Sequence, residues 1–504
     1  MGRIREEARL HQTSPKWPLL LGPGIYLVVW LWLLATGARL DFSRANMLQF
    51  VGPEELRASS WSELLLIHAQ PPGFNALLKL TDEFGSESTL ALAVIFAVCT
   101  IAGLWMTGDV VLQLTGSIRW AAAAGVLAAI VPGTAFYSLW VFYTTPTAFL
   151  LTATVWAMIR GSRTHSVWLI AISTASLTLA ALTRSSIVWP LIPVWILANR
   201  KAVLAAFRVS SRWTSTVAGT LMVLSVVGLG FVQGHAFSTF GSPTLSSWGF
   251  ENSSKALLTT MNEQEIASVV GDDECLGEVL ATGVFRPIVE YPDCARSGGT
   301  HSAPDSALLD AEFWQNGAPN MNHRDRLALS ESWRDFTVSA VADDPTRVIR
   351  IPFPSLANQE RGTVVRFLWP SAWYWLIEQN VSRGGLVSTL WIAAFSWVPI
   401  FMIGLVVVGL VRSRTLWGSD RTGRSSFRIS SVAVLALTVL YLFLETGENE
   451  RFRVEIDWLL ISLGISVLAT VRSKVEIRIQ TESYAKRVNG RRQAQIHPVR
   501  RPGA

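Results

Sequence analysis

Charge is what this sequence has least of. Of its 504 residues 16% are charged and 50% are apolar, a balance that excludes an ordinary soluble protein and makes a bilayer the solvent for much of the chain. No internal repeat is evident, which weighs against transporter folds built from repeated halves. The long apolar stretches carry almost no ionisable residue at mid-depth, and this weighs against an ion pump or proton-coupled carrier, whose pathways need such groups. A cleavable signal peptide is not expected, because the first apolar stretch follows Arg3, Arg5, Arg9 and Lys16 but has no small-residue cleavage site after it. It should stay as an anchor. Cysteine is scarce too: Cys99 falls in an apolar stretch, whereas Cys275 and Cys294 share a polar region and are either bridged or two free thiols.

What is present is hydrophobic length. Windows of about 20 residues, enough to cross ~30 Å of hydrocarbon as a helix, mark about ten spans. They run over 18–37, 88–107, 120–137, 142–159, 166–183, 186–199, 213–233, 385–411, 429–445 and 456–471, the sixth being short and broken by proline. The fold class is therefore all-α integral membrane, with a loop-rich extracytoplasmic subdomain between spans seven and eight. Its parts are a cytoplasmic N-terminus at 1–17, a membrane domain at 18–233 with a first outer loop at 38–87, the subdomain at 234–384, C-terminal transmembrane helices at 385–471, and a basic cytoplasmic tail at 472–504.

Orientation follows from charge. The segments 1–17, 108–119, 160–165, 200–212, 412–428 and 472–504 hold 25 Lys and Arg against 6 Asp and Glu, and the rest of the chain holds 18 against 31. By the positive-inside rule these segments are cytoplasmic, and both termini with them. The basic tail, with Arg491, Arg492, Arg500 and Arg501, reads as a solvated end facing lipid headgroups and not as a nucleic-acid site. The subdomain carries 19 acids and 11 bases, a helical-looking run around 325–341, and an extended return to the membrane at Pro352, Pro354 and Pro370.

Polar residues gather at the outer span ends. Asp41 follows the first span, Arg184 sits between spans five and six, and Glu445, Glu448, Glu450, Arg451 and Arg453 fill the last outer hairpin. Taken singly they are a solvated end residue, an arginine snorkelling towards lipid phosphate, and a self-paired charge cluster. Their common level is what raises a functional reading. The first outer loop adds Glu54, Glu55, Trp61 and Glu63 and closes on HAQPPGFN from His68 to Asn75, where Pro71 and Pro72 lock an extended backbone that can aim His68 and Gln70.

At these residues the chain resembles the polytopic, lipid-donor glycosyltransferases of the GT-C fold, the relatives of protein O-mannosyltransferases and lipid A aminoarabinose transferases. In that family an acid ends the first span and the first outer loop closes on a Pro-Pro motif, positions taken here by Asp41 and by His68 to Pro72. FYSLWVFYTTPTAFLL from Phe136, LTRSS from Leu182 and GENERFR from Gly447 extend the likeness. Phe42 stands where many members have a second acid, and Gly73 where Leu is usual. A divalent metal is thus not supported by an adjacent acid pair, no metal ligand is assigned, and the cofactor is left open.

The resemblance implies a hexosyl- or pentosyltransferase of the cell envelope that uses a polyprenyl-phosphate-linked sugar, with its active site extracytoplasmic and a glycan, glycolipid or protein as acceptor. Asp41 would be the general base. Arg184, with Arg451 and Arg453 behind it, would bind the donor phosphate through paired donors. Glu54, Glu55, His68, Gln70 and Tyr143 would orient sugar or acceptor. The competing reading is a flippase or transporter of lipid-linked saccharides, which also needs outer polar ends but no acid ahead of a Pro-Pro turn.

Overall fold

The computed structural model of the protein describes residues 16–42, 50–187, 190–241, 245–296, 303–351, 390–391, 394–395, 397–444 and 449–496; at 443–444, 449–452 and 486–496 the backbone alone is described. Among the described residues the regular structure is helical, with only two isolated bridges. Uninterrupted Leu, Val, Ile and Ala leave the backbone no partner but itself in lipid, and helices result. The membrane part contains α1 (Leu21–Ala35), α2 (Gly73–Asp82), α3 (Ser88–Thr115), α4 (Ile118–Ile130), α5 (Thr144–Thr164), α6 (Val167–Thr183), α7 (Leu191–Ala198) and α8 (Arg212–Phe240). The polar subdomain follows, with α9 (Trp248–Leu258) and α10 (Arg326–Asp343) as its main helices. The chain then returns through α11 (Val398–Val411), α12 (Arg421–Leu444) and α13 (Asn449–Ile496).

Five helical stretches are long and apolar enough to cross a membrane, namely Trp17–Ala35, Gly85–Thr115, Arg212–Phe240, Arg421–Leu442 and Arg453–Ala485, with α4, α6 and α11 shorter but apolar. The chain is a membrane protein on these helices. The stretch expected to span at 186–199 forms the eight-residue α7, which at ~1.5 Å per residue falls well short of ~30 Å.

Burial separates centre from periphery. In α8 17% of the apolar window is buried, and in α13 the figure is 83%, so α13 is the axis of the bundle. It packs against α3, α4, α5, α11 and α12. Gly103 of α3 makes room for it: a Cβ there would lie 2.1 Å from the Trp458 ring, and that indole donates to Thr134 Oγ1 at 3.0 Å.

Three segments are more helical than the sequence suggested. Residues 108–115, expected in a cytoplasmic loop, continue α3, where Asp109 is buried and accepts from Trp156 Nε1 and Arg160 Nη1, each at 2.8 Å. A carboxylate with two donors at hand need not end a helix. The basic segment from 472 continues α13 as a helix to Ile496, supported on its exposed surface by Arg472–Glu476 and Arg478–Glu482 pairs at 2.7 and 2.8 Å.

The subdomain is less loop-rich than expected, because polar caps start short helices: Asn262 and Glu265 form a capping box, and Asp273 caps Glu274–Thr282. Cys275 and Cys294 are bridged, with Cα atoms 6.1 Å apart. The α9–α10 pair buries Leu257, Phe336 and Ala340 with Leu276 and Met261. Between them Glu251 lies 3.5 Å from Arg326, and burial pushes its carboxyl pKa up against the pull of that arginine. The return at Pro352, Pro354 and Pro370 lies outside the described residues, as do Glu445 and Glu448.

Candidate active site

The span ends beside the subdomain form one connected polar region. Asp41, half-buried just after α1, pairs through its backbone with the segment before α5: its N–H donates to Leu139 O at 2.8 Å, and its carbonyl accepts from Val141 N–H at 2.9 Å. This short parallel bridge fixes the acid next to residues 139–143. The segment is seated by rings, since Phe142 stacks near Tyr143 at 4.1 Å between centroids, and Phe50 and Phe74 approach at 5.2 and 6.1 Å. Tyr143 is 2% exposed.

Tyr143 leads directly to Arg184, the residue that ends α6. Arg184 Nη1 donates to the Tyr143 hydroxyl, and the guanidinium carbon sits 4.7 Å from the Tyr143 ring centre and 5.9 Å from that of Tyr441. Its Nε donates to Ser186 Oγ at 3.1 Å and lies 3.5 Å from Glu455 Oε1. At 1% exposure the side chain is inside the protein and does not snorkel. Glu455, at the start of α13, accepts from the Tyr441 hydroxyl of α12 at 2.8 Å. On another side of α13, Arg453 Nε lies 3.4 Å from Asp457 Oδ1, both 2% exposed at the side chain. Arg451 belongs to the backbone of α13, and its side chain lies outside the described residues.

The Pro-Pro motif meets the same place from the other side. A Cβ on Gly73 would lie 2.5 Å from Leu182 O, so the chain after Pro72 presses on the turn that carries Arg184. That contact explains why a larger residue does not stand there. Gln70 is buried, and no described atom hydrogen-bonds its Oε1.

His68 is placed differently. Its Nδ1 meets Ser247 Oγ and its Nε2 meets Asn322 O, both at 3.0 Å, while Asn322 Oδ1 accepts from His68 N–H at 2.6 Å. These bonds dock the first loop on the subdomain. Glu55 does likewise, accepting from Gln315 N–H at 2.7 Å, and Glu54 is exposed on the same short helix, Pro53–Ala58. The structure therefore brings Asp41, Tyr143, Arg184 and Arg453 to one end of the bundle, and uses His68 and Glu55 at the seam with the subdomain.

Tyr441, Ser186, Glu455 and Asp457 were not singled out from the sequence. A signal was there: Arg453, Glu455 and Asp457 alternate with Val454, Ile456 and Trp458 and run into apolar residues with no turn former between. Among the described residues no group of three or more His, Cys, Asp or Glu side chains is placed to hold a metal ion. Chemically, a guanidinium buried between aromatic rings suits a phosphate, and a half-buried carboxylate nearby suits a proton.

No protein-family model and no curated protein matches the chain. Among solved structures it is similar to ArnT from Cupriavidus metallidurans bound to undecaprenyl phosphate, at 13% identity over 91% of this chain and 78% of that one, with a TM-score of 0.31. It is likewise similar to the apo state of the same protein, at 14% identity over 88% and 77%, with a TM-score of 0.28. TM-scores this low carry no argument about chemistry.

Proposed function

We propose that the protein is a multi-pass membrane glycosyltransferase that moves a sugar from a polyprenyl phosphate donor to an acceptor hydroxyl on the extracytoplasmic side. The subdomain end of the bundle is that side, both termini are cytoplasmic, and about ten segments traverse or enter the bilayer. One observation supports this most: the backbone bridge of Asp41 to residues 139–141 ties the candidate base to the strand of chain whose Tyr143 holds the buried Arg184.

A lipid-linked sugar keeps its chain in hydrocarbon and its phosphate at the interface, so the reaction belongs at helix ends. The acceptor oxygen attacks the anomeric carbon, the bond from that carbon to the phosphate oxygen breaks, and polyprenyl phosphate leaves with the bonding electrons. Asp41 takes the hydroxyl proton. Arg184 stabilises the leaving phosphate, with Arg451 and Arg453 behind it. Gln70, Glu54, Glu55, His68 and Tyr143 orient the sugar, the acceptor or the loops around them.

Purified protein with a radiolabelled polyprenyl phosphate sugar tests the reading. Acceptor-dependent release of label from the lipid supports it, and movement of intact labelled lipid across vesicles without cleavage assigns the protein to the flippases instead. Sidedness has its own check: a reporter near Gly299 should be extracytoplasmic and one after Ala504 cytoplasmic, and opposite labelling of either overturns the topology.

A further inference from the structure

The scheme above leaves the buried Glu455 without a task. Glu455 is 0% exposed, sits 3.5 Å from Arg184 Nε, and receives the Tyr441 hydroxyl on its other oxygen at 2.8 Å. We propose that Glu455 is a positioning residue: braced by Tyr441, it holds the Arg184 guanidinium in place and offsets part of its charge, so that the leaving phosphate is stabilised and then released. The inference rests on the reading of Arg184 as the phosphate ligand.

The geometry is that of a restrained pair. A carboxylate that fully captures an arginine closes two parallel bonds at ~2.7–2.9 Å. Here the contact is longer, and the guanidinium is divided among Tyr143, Ser186 and the two rings that flank it. Four chain segments converge on it, from the start of α5, the end of α6, the end of α12 and the start of α13, so its position is set from several directions.

Compensation matters because the site is buried. An arginine with nothing to offset it would hold polyprenyl phosphate as product as firmly as it holds the transition state, and uniform binding of that kind does not raise turnover. A neighbouring carboxylate weakens the hold on the resting anion, and Tyr441, by occupying one oxygen, keeps that carboxylate from closing on Arg184 altogether. Tyr441 and Glu455 thus act on phosphate affinity with opposite sign.

That opposition gives the test. Equilibrium binding of polyprenyl monophosphate to the detergent-purified full chain is measured for the wild type, Glu455→Gln and Tyr441→Phe, together with melting temperature, donor KM and kcat. Glu455→Gln should bind about tenfold tighter, with lower donor KM and lower kcat as release slows. Tyr441→Phe should bind more weakly, by about threefold, because the freed oxygen draws Arg184 away. A role in structure alone would lower both melting temperatures and move binding in one direction. Unchanged or weaker binding by folded Glu455→Gln overturns the proposal. If that variant does not fold, unchanged or tighter binding by Tyr441→Phe overturns it. A wild type that does not bind polyprenyl monophosphate defeats the phosphate-ligand reading itself, a result seen without any variant.

Discussion

Two ion pairs join helices at opposite ends of the bundle, and they are built differently. At the end away from the subdomain, Asp109 Oδ2 takes Arg160 and Trp156 at 2.8 Å each, and Gln113 approaches Oδ1 at 3.4 Å, while the arginine side chain stays 27% exposed. At the subdomain end, Arg184 and Glu455 are 3.5 Å apart and at most 2% exposed. The first is a saturated carboxylate with a hydrated arginine, which suits holding α3 to α5. The second is buried on both sides. A buried pair is weak evidence for stability, since desolvation offsets much of the attraction, so burial alone does not give this pair a purely structural role.

The sharpest way to break the comparison is to change the subdomain end without touching packing. Asp41→Asn keeps size and a hydrogen-bonding oxygen and removes only proton acceptance, so transfer should fall by ~10²- to 10⁴-fold with folding and lipid binding near normal. Turnover within about twofold of the wild type would take Asp41 out of the mechanism. Arg184→Ala should lower kcat/KM for the lipid donor by about a hundredfold or more, and Arg184→Lys by about tenfold, because lysine keeps the charge but loses the planar fork. Equal losses in the two variants would mean that the fork is not used.

Changes elsewhere should act on stability alone. Cys275→Ser with Cys294→Ser opens a loop with a sequence separation of 19 residues and should lower subdomain stability by about 2 kcal/mol. Limited proteolysis should show this, with donor binding unmoved. Asp109→Asn should cost about 1.5 kcal/mol, read as a lower melting temperature, while activity per folded molecule stays within about twofold. Lost activity at unchanged stability in Asp109→Asn would erase the distinction between the two ends.

The spans were legible because lipid leaves the backbone one solution, and their helices fall close to the apolar windows for α1, α3, α5, α6 and α8. Asp41, Tyr143 and Arg184 were legible as residues at one level. What sequence could not supply was depth. Taken singly, the charges of the last outer hairpin, Arg453 among them, read as a self-paired cluster, yet the helices around α13 enclose Arg453 together with Glu455 and Asp457, which the sequence did not single out. The partners of His68, Ser247 and Asn322, lie 179 and 254 residues away, so its seat against the subdomain could not be read locally. The length of α13 was missed for a local reason: its exposed part sets Val475, Ile477 and Ile479 at alternate positions among charges, and paired charges at i and i+4 sustain a helix that no apolar stripe of helical period announces.

The enclosure of α13 has a consequence for biogenesis. It is the most deeply wrapped of the described spans, and it follows all the others in the sequence. During synthesis α3, α4, α5, α11 and α12 are therefore made before their central partner, and the Gly103 notch is filled by an indole from a segment that leaves the ribosome after them. Until that insertion Arg184 has no Glu455 beside it.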